Sequence, residues 1–188
     1  MTQTRRIFTF VLRLLALAAT VSATIVMVNS HDSTRVLNLT FKAKFSDSPT
    51  FTYFVIVEAI VSGYNLIILL LSSKGSLWRI VIILDVCHVK KLHVIDMHRV
   101  ETITLVCLFH VAALLLTSSM SAALTIAQVG KKGNTHAGWL PICGQVSKFC
   151  NHVSGALVAG ILAAIFYYVL NLFTLYNVLN PLFVAKPN

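Results

Sequence analysis

Between Leu84 and Glu101 the chain reads LDVCHVKKLHVIDMHRVE. Asp85, Cys87, His88, His93, Asp96 and His98 are all residue types that ligate metals. Their spacing argues against a metal centre. His88, His93 and His98 recur at intervals of five. On a helix, successive rings would point about 140° apart. On a strand they would alternate between faces. Neither arrangement gathers ligands, so no metal and no cofactor is expected. A phosphate loop, a nucleophile elbow and a His-Glu-x-x-His pair are also missing from the sequence, and we expect no enzyme. The chemistry that remains is electrostatic and covalent. It rests on Arg13, Glu58 and Asp85 in apolar surroundings, and on Cys143 and Cys150 in a polar one.

The elements that carry these residues follow from composition. The 188 residues are 57% hydrophobic and 11% charged, with a mean hydropathy of +0.82. A soluble domain carries roughly 25% charged residues. Four stretches are long and apolar enough to cross a ~30 Å hydrocarbon core: residues 7–28, 51–72, 103–128 and 153–179. They are continuous apolar runs, not alternating ten-residue segments, which argues against a β-barrel. The expected fold is all-α, a single four-transmembrane-helix domain over residues 1–188. The formal charge of +9 sits mainly in the segments between spans. It suits lipid headgroups and topology signals better than nucleic acid. Arg5, Arg6 and Arg13 with Val21-Ser22-Ala23 imitate a cleavable signal peptide. The apolar run continues through Val28, which favours a retained helix.

Four spans put both termini on one side. Arg5 and Arg6 precede the first span, so that side is expected to be cytosolic. Cys143 and Cys150 then fall in the opposite compartment. On a helix their Cα atoms would be about 10 Å apart, too far for a bridge. Pro141 and Gly144 argue for an irregular loop that could join them. Asn38-Leu39-Thr40 is a candidate N-glycosylation sequon on the same side.

Arg13 lies about 9 Å into the first span and Asp85 is about as deep if the third helix starts near Trp78. At a common level they could form a charge pair, far cheaper in low dielectric than two lone charges. Glu58 enters from the opposite side, roughly 10 Å from Arg13 along the membrane normal. It is either protonated or turned toward Ser62 or Asn65 on its own helix. Small residues suited to close helix contact recur at Ala16, Ala19 and Ala23, at Ser118, Ser119, Ala122 and Ala123, and at Ala156 and Gly160.

The segments SSMSAALTIAQVGKKGNTHAGWLPICGQVSKFCNHVSGALVAG (118–160) and FKAKFSDSPTFTYFVIVEAIVSGYNL (41–66) resemble the plant Casparian strip membrane protein family, in its CASP-like branch. The family is similar in architecture to the MARVEL four-helix proteins. The resemblance implies a plasma-membrane protein with cytosolic termini that forms homo- and hetero-oligomers with related members. It also implies cell-wall-modifying proteins as further partners. The family's intramembrane Arg and Asp fall on Arg13 and Asp85, and its loop cysteines on Cys143 and Cys150. The first loop lacks the signature of the strip-forming members, and Glu58 stands where a neutral residue is expected.

One further departure concerns residues 87–110. In the family, the helix beginning at ILDV continues directly into a run like AALLLTSSMSAAL. Here about two dozen residues intervene, which reads as an insertion or a gene-model artefact. The third span is then either 103–128 alone, or 80–86 joined to 111–128. The functional expectation is a non-enzymatic scaffold subunit of the plasma membrane that organises local membrane or cell-wall domains. The alternative is a small transporter or channel subunit with Arg13, Glu58 and Asp85 along a pathway.

Overall fold

The computed structural model describes residues 3–36, 39–73 and 97–184. Four long helices dominate: α1 (Gln3–Val28), α2 (Pro49–Ser73), α3 (Met97–Lys132) and α4 (Ser147–Val184). A short antiparallel hairpin, β1 (His31–Val36) and β2 (Leu39–Lys44), joins α1 to α2.

The helix ends are set by local chemistry. Ser30 donates its hydroxyl to the Met27 carbonyl at 2.6 Å, closing the last turn of α1. Pro49 takes the first position of α2, where a missing N–H costs nothing. α3 ends with Lys131 and Lys132, whose charge suits the negative end of the helix dipole. Gly133 follows at φ 71, in the left-handed region that ends a helix without strain for glycine. A Cβ there would also run into the Trp139 carbonyl.

The helices form a closed ring in which α1 packs on α2 and α4, and α3 packs on the same two. Two clusters fill it. The outer one, at the hairpin end, includes Met27, Phe51, Phe54, Met120, Phe149 and Leu157. The inner one includes Leu12, Val57, Val61, Leu116, Tyr167 and Leu170. Phe51 meets Phe149 edge-on at 6.2 Å between centroids, tying α2 to α4. Gly160 lets α4 approach closely, since a Cβ there would press on the Met120 methyl and lie 3.0 Å from the Phe54 ring.

Each helix has a window apolar and long enough to cross a membrane, and only 28–39% of each window is buried inside the protein. The remaining apolar faces, including Ile60, Leu70 and Tyr168, point outward. Such a surface suits lipid and not water. The expected four-helix membrane fold is thus present.

Two features differ from the reading of the sequence. The first connection is a β-hairpin, an element that the all-α expectation does not contain. Its inner face is held down, because Ala43 and the following Phe45 pack against the outer cluster. The third span is one unbroken helix from Met97, so residues 97–110 are helical and run straight into 111–132. Residues 80–86, the first part of the alternative span, lie outside the described residues. A break would leave backbone groups unsatisfied in lipid, and a continuous helix avoids that. Asp85, and most of the stretch 84–101, lie outside the described residues.

Candidate functional site

Three helices contribute polar groups to the centre of the bundle. Asn65 on α2 is fully buried and donates from Nδ2 to the Arg13 carbonyl on α1 at 2.9 Å. Tyr167 on α4 is also fully buried and donates its hydroxyl to the Val61 carbonyl on α2 at 3.2 Å. Arg13, Tyr64 and Glu58 all lie within electrostatic range of the Tyr167 phenol. The level of Arg13 is therefore a polar belt that stitches α1, α2 and α4 together.

Glu58 has two turns of α2 between it and Asn65, on the same face by the i, i+7 relation. It is 0% exposed, and among the described residues neither carboxyl oxygen has a hydrogen-bond partner. The two own-helix partners expected for it are engaged elsewhere. Ser62 donates to the Ala59 carbonyl, and the Asn65 amide turns to Arg13. The proposed partner of Arg13, Asp85, lies outside the described residues. What the structure adds around Arg13 is Tyr64 and Tyr167, both within electrostatic range of the guanidinium. Nothing in the sequence singled these tyrosines out, since a phenol in an apolar run passes as an ordinary aromatic.

The second chemical feature is the α3–α4 connection. Asn134 and Trp139 exchange backbone hydrogen bonds at 2.8 and 2.9 Å around a tight turn at Thr135–Ala137. The Ile142 N–H then bonds back to the Gly130 carbonyl at 2.9 Å. This folds the loop onto the end of α3 and delivers Cys143 to Cys150, in the first turn of α4. The two are bridged, with Cα atoms 5.7 Å apart. The irregular loop expected from Pro141 and Gly144 is what permits the bridge. A cavity of about 150 Å³ lies against it, lined by Phe51, Lys131, Phe149 and Asn151 among others. Asn38, the candidate sequon, lies outside the described residues. Among the described residues no group of three or more His, Cys, Asp or Glu side chains gathers.

The small residues divide by face. Ala16, Ala23, Ser119, Ala123, Ala156 and Gly160 are buried and serve packing within the bundle. Ser118 is exposed and Ala122 half-buried. Beside them runs a row the sequence reading missed. Thr117, Ser121 and Thr125 are all exposed on α3, each donating to the carbonyl one turn back at 2.8–3.0 Å. The signal was a four-residue spacing of hydroxyls within an apolar run.

A closed ring of four apolar helices with mostly lipid-suited outer faces defines a polytopic membrane protein of the four-helix class. The chain belongs to the Casparian strip membrane protein domain family, whose model matches residues 2–166. It is 56% identical to a CASP-like protein 1C2 of Populus trichocarpa, over the whole of both chains. It is 52% identical to a CASP-like protein 1C2 of Ricinus communis, over 97% of each. A CASP-like protein 1C1 of Vitis vinifera is 51% identical, over 96% of this chain and 99% of its own. The alignment with the poplar protein covers the full length of this chain, so residues 87–110 fall inside it. No solved structure matches the chain.

Proposed function

We propose that the protein is a non-enzymatic scaffold subunit of the plasma membrane, with cytosolic termini, that self-associates and joins related family members. The observation that carries this reading is the hydroxyl row Thr117, Ser121 and Thr125 on the outer face of α3. Lipid tails gain nothing from such a row. A second helix does, because short side chains allow close approach, and each hydroxyl oxygen, its proton already donated within α3, can still accept a bond from a neighbour. The bundle core is already filled by its own side chains, so the row is free to meet another subunit. Organisation of local membrane or cell-wall domains would then arise from many subunits joined in this way.

The test is cross-linking in native membranes. Ser121→Cys should form disulfide-linked dimers under mild oxidation. The double change Ser121→Leu with Thr125→Leu should lower the yield of chemically cross-linked oligomers severalfold while leaving surface levels unchanged. Wild-type oligomer yields in the double variant would overturn the assignment of this face.

The proposed Arg13–Asp85 pair has its own test. Arg13→Ala or Asp85→Ala should impair export, and the swap Arg13→Asp with Asp85→Arg should restore part of it. Normal surface levels in both single variants would count against the pair. A transporter reading needs ionisable groups along an open path. The complete burial of Glu58 favours the scaffold instead.

A further inference from the structure

The hairpin has two chemically opposite faces. Its register pairs His31 with Lys44, Ser33 with Lys42 and Arg35 with Thr40 at one set of positions. Asp32 with Ala43, Thr34 with Phe41 and Val36 with Leu39 form the other. Side chains alternate along a strand, so each set shares a face. On the second face, Ala43 packs against the outer core cluster, and Asp32 and Thr34 are half-buried. On the first, His31, Ser33, Lys42 and Lys44 are exposed. The first face therefore points away from the helix bundle, and so away from the bilayer that the bundle spans.

This outward face holds Lys42 and Lys44, with His31 paired opposite Lys44, and no acid among the described residues. The two nearby carboxylates are occupied locally. Asp32 accepts from the Ser33 N–H at 2.9 Å, and Asp47 accepts from the Lys44 N–H at 2.9 Å. The neighbouring connection adds Lys131, Lys132 and Lys148, and no Asp or Glu occurs anywhere after Glu101. Lysines also protect sheet edges from pairing. That role requires no sorting of charge between faces, whereas here the cations gather on one.

We propose that this face binds a linear polycarboxylate, with the chemistry of an acidic polysaccharide, in the solution beyond the membrane. The platform is open at both ends and about 20 Å long, with cations repeating at about 7 Å along β2. It has no walls and no convergent donors, so it suits an extended, repeating anion better than a single compact one. Lysine ammoniums are point charges without a fixed fork geometry, which fits many loose carboxylate contacts. Facing away from the bilayer, the platform is badly placed for the headgroups of its own membrane.

The experiment uses the full chain in neutral-lipid nanodiscs over immobilised polygalacturonate. Binding should be present at low ionic strength and fade as salt is added. Lys42→Gln with Lys44→Gln should weaken it by about tenfold, and Lys42→Arg with Lys44→Arg should not. Intact Cys143–Cys150 bridging and a single elution peak verify folding. If the double variant does not fold, each single Gln variant should still show a severalfold loss. Equal binding by the Gln variants, equal binding to neutral dextran, or no binding at all would overturn the proposal. So would binding to phosphatidylserine vesicles without binding to polygalacturonate, which would assign the face to a membrane instead.

Discussion

Asn65 and Tyr167 show how single polar atoms hold helices together where hydrophobic burial discriminates little between protein and lipid. Each donates to a backbone carbonyl of another helix. Such bonds contribute about 0.6 kcal/mol on average in membranes and up to about 1.7. Asn65→Leu should therefore lower the thermal stability of the purified protein by an amount in this range. Tyr167→Phe removes only one hydroxyl and should cost about the same. If both variants melt at the wild-type temperature, the belt is not a structural tie. At this scale the sequence was half legible. Arg13 and Glu58 stood out as charges inside apolar runs. Their surroundings did not, because hydropathy alone cannot tell a lipid-facing position from a core-facing one in a membrane helix. Tyr64, Tyr167 and the row Thr117, Ser121 and Thr125 were hidden for that reason.

At the scale of elements, the α3–α4 connection is held by a disulfide as well as by backbone hydrogen bonds. Its bridge closes a short loop, with a separation of 7 residues. Cys150→Ser should cost roughly 2–3 kcal/mol and free Cys143 for maleimide labelling. Wild-type melting and an unlabelled Cys143 would contradict the bridge. Helix contacts make a separate prediction. Gly160→Val places branched carbons against Met120 and Phe54 and should destabilise by about 1–3 kcal/mol, measured by thermal unfolding in detergent. The four spans were legible because lipid demands long apolar runs. The hairpin was not. A two-stranded ribbon is marginal by itself, and this one depends on Ala43 and Phe45 reaching a core formed by distant helices. The resemblance offers two readings of the third span, 103–128 alone or 80–86 joined to 111–128. The chain itself continues as helix from Met97, since 103–128 is already long enough to cross alone.

For the whole molecule, the even number of helices places the start of α1 and the end of α4 at one end, and the hairpin and disulfide at the other. A structural disulfide belongs in an oxidising compartment. An impermeant amine reagent on intact cells should label Lys42, Lys44, Lys131 and Lys132. An N-terminal tag should stay hidden until the cells are permeabilised. The reverse pattern would invert the topology. The disulfide end of the molecule has a mechanical consequence. Ile142 is bonded back to Gly130 at the end of α3, and Cys143 is bridged to Cys150 in the first turn of α4. The connection is therefore a clasp between two helix ends and not a slack tether. A force that pulls α3 and α4 apart from this end would be carried by a covalent bond before it reached the side-chain packing below.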